Sequence, residues 1–226
     1  MTLLNGTARS TARLAGAALR ALIALTVLCG VLYPLAVTGI AQAAFPHQAN
    51  GSEVRADGRN AGSALIGQTY TLDRKDKAGN PLPDPKYFQP RPSAAGANTV
   101  NTQYKILVSG GSNLAADSTV LSGQIKDRRA QIAAFNGVAP GAVPPDAVTA
   151  SGSGVDPDIS PAYATLQVTR VARANGLPRA EVARLVEDHT DGRALGFLGE
   201  PHVNVLELNI ALHTLARRCP LRTGKR

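Results

Sequence analysis

Four histidines, His47, His189, His202 and His213, are the side chains best suited to bind a metal or pass a proton, and they stand far apart with no cysteine beside them in the body of the chain. Zinc centres draw on His, Cys and carboxylates at tight spacing, so no metal site is expected. Ser151 and Ser153 alternate with Gly152 and Gly154. This segment lacks the Gly-x-Ser-x-Gly frame that exposes a hydrolase nucleophile, and no histidine can be assigned as its base. Asp156 and Asp158 follow; they read as loop and cap residues, while a pair of acids beside a glycine loop also suits a cation or a partner. Ser109, Gly110, Gly111, Ser112 and Asn113 form a turn whose backbone donors could make a nest for an anion, although such turns before helices commonly carry no ligand. The one Gly-Lys pair, Gly224-Lys225, is followed by Arg226 where a P-loop needs Ser or Thr. No catalytic residue, no metal ligand and no cofactor motif emerges. His189 reads as a half-buried structural residue on an apolar helix stripe.

The element that must position the rest is the run 21–44, which contains no Asp, Glu, Lys, Arg or His. A helix rising about 1.5 Å per residue needs roughly 20 apolar residues to cross a bilayer, so this run is long enough. The competing reading is a secretory signal cleaved after Ala41-Gln42-Ala43. A signal core is about 7 to 15 residues, shorter than this run, which favours a retained anchor. Arg9, Arg13 and Arg20 precede it and all sixteen acids follow it. The positive-inside rule then places the N-terminus in the cytoplasm and residues after Phe45 outside, in the periplasm. Pro34 removes a backbone donor, which predicts a kink or opened ladder over 30–34. Thr26 with Gly30, and Gly39 with Ala43, set small residues at four-residue spacing, the form in which membrane helices approach one another closely. These five, with Ser151, Gly152, Ser153, Gly154 and Asp156, are the candidate partner interface; a plain single-pass anchor is the alternative for the helix.

The formal charge of +8 invites a nucleic-acid reading that its distribution opposes. Eight of the 24 Lys and Arg lie before the span or in the tail, at Arg217, Arg218, Arg222, Lys225 and Arg226, so the body between is neutral and offers no basic face to phosphates. Cys29 sits inside the span and Cys219 in the tail, so they cannot pair within one chain.

In chain order, residues 1–20 form a cytoplasmic segment and the start of the helix, near Thr11; the span follows over 21–44, an extracytoplasmic domain over 45–216 and a basic tail over 217–226. After a turn over 48–52 and a polar stretch, 64–71 reads as a strand, 73–84 as a surface loop punctuated by Asn80-Pro81 and Pro83, and 87–93 as a core corner built on Tyr87 and Phe88. An apolar run at 104–108 precedes the Ser109 turn. Leu121, Ile125, Ile132 and Phe135 at helical spacing predict an amphipathic helix ended by Asn136-Gly137. Residues 147–150 read as a brief extended piece. Ser160 as N-cap with Pro161 opens a helix ended by Gly176, Pro178 opens another, and Asn204 with Glu207 caps a last one. Strands and helices without strict alternation predict an α+β domain after a single N-terminal transmembrane helix.

Six blocks carry a resemblance: 33–52, 63–68, 87–94, 109–114, 148–161 and 189–212. In that order they closely resemble the signature blocks of the C subunit of the bacterial Kdp potassium-transporting ATPase, over nearly the whole chain. The resemblance implies a single-span, non-catalytic subunit of an inner-membrane complex that imports potassium with ATP. Its partners would be a channel-like A subunit that carries the ion, a P-type B subunit that hydrolyses ATP and a small F subunit. The family's C subunit is described as an assembly factor and catalytic chaperone that raises the pump's affinity for ATP, and as binding ATP; ATP, magnesium and potassium act at the level of the complex. Because the domain is expected outside and lacks a phosphate motif, contact with the potassium-entry side of the A subunit is the easier physical role. The segment 73–83 and the tail after Leu215 depart from the family pattern. The alternative function is a membrane-tethered periplasmic ligand-binding module or hydrolase.

Overall fold

The computed structural model describes residues 3–76, 79, 81–93, 100–101, 106–107 and 109–218. The chain divides into two compact units, Met1–Ser52 and Glu53–Arg226.

In the first unit, helix α1 (Leu3–Val27) passes through a π-helical turn (Leu28–Leu32) into α2 (Tyr33–Ala44) without a break. The helix starts at Leu3 rather than near Thr11, in a segment with no proline to stop it. Ser10–Ala44 has a mean hydropathy of 2.2 over its most apolar window and is long and apolar enough to cross a membrane. The irregularity expected around Pro34 is the π turn: Tyr33 N–H donates to the Leu28 carbonyl, five residues back, which widens the ladder where the proline ring would otherwise crowd the preceding turn. Helix α3 (Pro46–Ala49) follows, and the Gln42 and Asn50 side chains exchange two hydrogen bonds of 3.2 Å across this elbow.

The second unit is α+β, with helices and short antiparallel strands. β1 (Glu53–Ala56) and β2 (Arg59–Ser63) form a hairpin through Asp57 (φ +52°) and Gly58 (φ +76°), a pair of left-handed residues that matches the twist of the strands. The segment 64–71 is not the expected strand. It turns after Ala64 and runs irregularly to Tyr70, because its backbone bonds to other loops rather than to a sheet. The loop expected over 73–84 is instead a second hairpin, β3 (Thr71–Lys75) with β4 (Pro81–Pro83). β5 (Val100–Asn101) pairs with β6 (Ile106–Leu107). Of the sequence features named above, Asn80, residues 102–105, Val108, Cys219 and the tail beyond it lie outside the described residues.

Helix α4 (Thr119–Asn136) is capped by Ser118 and ended by Gly137 at φ +67°, with Val138 N–H donating back to the Ala133 carbonyl. The extended piece expected at 147–150 is a short helix, α5 (Pro145–Val148); Pro144 and Pro145 fix the backbone at its start. After β7 (Asp158–Ile159), Ser160 Oγ accepts the Tyr163 N–H at 3.0 Å, Pro161 takes the first helical position, and α6 (Pro161–Asn175) ends at Gly176, φ +65°. Helix α7 (Arg179–Asp188) leads through β8 (Thr190–Asp191) to β9 (His202–Asn204) and α8 (Val205–Arg218). β9 is the middle strand of a three-stranded antiparallel sheet, with β7 on one side and β8 on the other. Asn204 Oδ1 caps α8 by accepting the Leu206 and Glu207 N–H groups, as its spacing predicts.

The core lies where α6, α7, α8 and β9 converge. Ala164, Val168, Val171 and Ala172 of α6 are buried as expected, with Val182, Val186, Val203, Leu208 and Leu212. Phe88 is fully buried, which bears out the corner at 87–93; Tyr87 lies nearer the surface, stacked on Tyr70 at 5.1 Å. Gln167, Arg170 and Asn209 are buried polar residues that the helical pattern does not anticipate.

Candidate functional site

The loop 151–156 is held in place by its own side chains and by three distant segments. Ser151 Oγ accepts the Gly154 N–H at 2.8 Å and Ser153 Oγ accepts the Val155 N–H at 3.2 Å, closing the loop locally around Gly154 at φ +70°. Its carbonyls then face outward. That of Ser153 accepts Gly110 N–H at 2.7 Å and Ser109 Oγ at 2.8 Å; that of Gly154 accepts Ser93 Oγ; that of Val155 accepts Gly67 N–H at 2.7 Å. Two candidate segments far apart in sequence, 109–113 and 151–156, therefore meet. The Gly110 N–H of the proposed nest is turned to the Ser153 carbonyl, while Ser112 and Asn113 are exposed, Asn113 at φ +52°. Ser151 and Ser153 both spend their hydroxyls on backbone.

Arg91 enters this arrangement from the 87–93 corner. Flanking prolines, Pro90 and Pro92, restrict the backbone around it and aim the side chain. Its Nη1 meets Asp156 Oδ2 at 3.0 Å and Nη2 donates to the Thr149 carbonyl at 3.4 Å, while Nε is buried with no partner among the described residues. Asp156 Oδ1 accepts the Asp158 N–H at 3.0 Å, so one carboxylate ties Arg91 to the start of β7. A cavity of about 350 Å³ opens beside this pair, lined by Gly67, Gln68, Arg91, Ser93, Ser151 and Asp156 among others. Neither Gly67 nor Arg91 stands out in the sequence. Gly67 sits inside what reads as a strand and Arg91 inside what reads as a core corner, and only the bond of each to loop 151–156 reveals its role.

A second cleft of about 260 Å³ shares Arg91 and Asp156 and adds Asp146, Asp158, Glu200 and His202. Asp146 is committed to the Ser160 cap, accepting its N–H and Oγ at 2.9 Å each. Asp158 faces Asn204 Nδ2 at 3.2 Å and His202 Nε2 at 4.0 Å. Burial pushes the Asp158 carboxyl above its ordinary value; His202 and the Asn204 hydrogen bond pull the other way, and Asp156 and Asp191 add to the rise. Among the described residues no group of three or more His, Cys, Asp or Glu is placed to hold a metal ion. His189 lies at the end of α7 with Nδ1 2.9 Å from the Leu185 carbonyl, half-buried and structural as read, though as a C-cap rather than a stripe residue.

The raised Asp158 pKa makes a signed prediction. A carboxyl whose folded pKa exceeds its unfolded value favours the fold below the unfolded value, near 3.8, and that contribution is lost as pH rises through the folded pKa. At pH 7 ionised Asp158 therefore works against the fold. Asp158→Asn keeps an acceptor for Asn204 and should raise the melting temperature of the full chain in detergent at pH 7, with the gain shrinking below pH 3.8. A lower melting temperature at pH 7 would mean that the His202 contact outweighs burial.

In the first unit the small pairs do not share a face. Gly30 and Gly39 are nine positions apart, roughly two and a half turns, so the two pairs look to opposite sides of the helix. A Cβ on Gly39 would meet nothing within 4 Å, and one on Gly30 only Thr26 Cγ2 at 4.0 Å, so both positions are open.

A family model described as "KdpC: K+-transporting ATPase, c chain" matches residues 15–214. The potassium-transporting ATPase KdpC subunit of Streptomyces avermitilis is 55% identical over 218 residues, which cover 94% of this chain and 98% of the relative. That of Streptomyces coelicolor is 54% identical over 215 residues, 92% and 96% of the two chains, and that of Gemmatimonas aurantiaca 50% over 197 residues, 87% and 90%.

Proposed function

Because the chain belongs to the KdpC family, the c chain of K+-transporting ATPases, and is thus a complex subunit rather than a standalone enzyme, we propose that it aids assembly of an ATP-driven potassium import complex and acts as catalytic chaperone to its ATP-hydrolysing subunit. In this reading the helix through Ser10–Ala44 anchors it in the bacterial inner membrane with the N-terminus in the cytoplasm, and the second unit stands in the periplasm over the channel-like A subunit. The P-type B subunit and the small F subunit complete the complex; ATP, magnesium and potassium act there and not at a motif of this chain.

The observation that carries the reading beyond the family name is the clamped loop 151–156. Its hydroxyls and three of its six carbonyls, those of Ser153, Gly154 and Val155, are spent on holding shape, and its one strong ion pair, Arg91 with Asp156, is tied to backbone on both sides. Such a site presents a fixed surface without a nucleophile and base in contact, which suits contact with a partner better than bond making.

The test is a pull-down of tagged full chain from detergent-solubilised membranes of potassium-starved cells, with potassium-stimulated ATPase measured on the eluate. Co-elution of larger subunits with that activity supports the reading; a chain that elutes alone from cells expressing the pump overturns it. Within the same assay, Pro34→Leu, or Leu at Gly30 or Gly39, should lower recovery of the complex several-fold, since the first removes the cause of the π turn and the others fill open faces of the helix. Unchanged recovery would leave the helix a plain anchor.

A further inference from the structure

The loop between β8 and β9 holds large apolar side chains in water. Leu195 is 83% exposed, Phe197 69% and Leu198 52%, in a unit whose core packs around Phe88 and α6 and in which Leu65, Ile66 and Val120 are also exposed. The exposure is not that of a loose segment. Ala194 and Leu198 exchange both backbone hydrogen bonds at 2.9 Å, Gly196 N–H donates to the Arg193 carbonyl at 3.0 Å, and Phe197 N–H donates to the Ala194 carbonyl at 3.3 Å. Gly196 and Gly199 take positive φ where glycine does so freely, but Leu195 does so at +53°, a conformation unfavourable for a branched side chain. The local fold thus accepts backbone strain while its three largest apolar side chains stay half or more exposed.

We propose that this turn is a preformed apolar knob that docks into an apolar recess of another protein subunit of the ATPase; the proposal rests on the accessory-subunit reading above. The occupant is a protein and not the bilayer for two reasons. Lipid accepts apolar side chains in any arrangement, so a strained, closed turn has no advantage there, whereas a shaped recess rewards a shape fixed in advance. The loop also carries acids at both stems, Asp191 and Glu200, with Arg193 between them. An anionic bilayer surface would repel that pair, while a recess rimmed by donors or a cation would meet it.

The experiment uses the full chain co-expressed with the rest of the complex. The double variant Leu195→Ser, Phe197→Ser should keep the melting temperature of the wild-type chain, because both side chains are exposed, yet its recovery of larger subunits should fall about tenfold or more. In parallel, a photoreactive benzoylphenylalanine at position 197 should cross-link the chain to one of the complex's own subunits, identified by mass spectrometry. Equal recovery by variant and wild type overturns the docking, as does a photo-adduct to lipid alone or to a second copy of this chain. Should the double variant melt lower, the cross-link decides, since it leaves Leu195 and Leu198 in place. A wild-type chain that recovers no larger subunit overturns the accessory-subunit reading itself, and is distinct from a wild type that recovers them equally with the variant.

Discussion

Arg170→Ala is expected to destabilise the second unit by about 3 kcal/mol, the largest loss foreseen from a single side chain in this protein. Arg170 is only 8% exposed, and among the described residues no carboxylate is in contact with its guanidinium. It lies instead at the meeting point of four acceptors: the Pro85 carbonyl at 2.6 Å, the Tyr87 carbonyl at 2.9 Å, Asn136 Oδ1 at 2.9 Å and Gln167 Oε1 at 2.6 Å. Its plane also sits 4.4 Å from the centre of the Phe135 ring. One side chain on α6 thereby fixes the end of α4 and the carbonyls that precede Phe88. Truncation orphans the Pro85, Tyr87 and Asn136 acceptors, each worth about 1–3 kcal/mol when left dry, while Gln167 Oε1 keeps the Gln89 N–H at 2.7 Å; water entering along the neighbouring groove lined by Gly137, Thr169 and Arg173 would recover part of the loss. Arg170→Met refills the volume and should recover little, because the loss is polar. Urea unfolding of the second unit's signal in the full chain measures both, and a loss under about 1 kcal/mol for the alanine variant would show that water replaces the guanidinium.

The same burial lowers the Arg170 pKa to about 10, with Tyr163 and Asp84 opposing, and raises that of Tyr163 to about 12. The two linkages run in opposite directions. Between pH 10 and 12.5 the unfolded chain holds more protons at Arg170, so that term favours the fold as pH rises. Tyr163 keeps its proton in the fold up to about 12, so between 10 and 12 its term falls with pH. At neutral pH Arg170 is charged, its desolvation offset by the four hydrogen bonds and the ring.

Much of the helical half of the fold is legible in local chemistry. Ser160-Pro161, Gly137, Gly176 and Asn204 act through bonds to residues a turn away, so their effect is written in adjacent positions. The short strands are less readable. Asp57-Gly58 is a strong hairpin signal, but Glu53–Ala56 alternates over only four residues and Arg59–Ser63 does not alternate, so the pattern is too short to stand out. Segment 64–71 misleads in the other direction: its branched and aromatic residues favour a strand, while its backbone partners come from elsewhere in the unit. The site follows the same rule. The loops 109–113 and 151–156 are conspicuous by composition, yet that Gly110 meets Ser153, or that Arg91 reaches Asp156, depends on contacts between segments more than 40 positions apart, which no local pattern encodes.

Gly67→Ala is expected to collapse the candidate site with a smaller loss of global stability. Gly67 donates its N–H to the Val155 carbonyl at 2.7 Å, and a Cβ built there would lie 2.4 Å from the Asp156 carbonyl oxygen, 3.0 Å from the Asp156 carbonyl carbon and 3.3 Å from the Val155 oxygen. The obstructing atoms are backbone, so no rotamer change relieves them. One chain must move, and the loop 151–156 is the more readily displaced because it is held by four loop contacts rather than by a strand. Moving it lengthens the Arg91 to Asp156 pair and loosens the Asp158 N–H bond that leads into β7. The contrast with Gly62 isolates the cause. There a Cβ would meet the Gln68 side-chain nitrogen at 1.9 Å, and a glutamine amide can swing away, so the cost of Gly62→Ala comes mainly from its φ of +148° and stays local to the hairpin. In the pull-down, Gly67→Ala should lower recovery of the complex about tenfold while the chain still inserts and melts cooperatively, at a cost of about 1–3 kcal/mol. Recovery at the wild-type level with the same melting shift would show that loop 151–156 contributes to the fold and not to the contact surface.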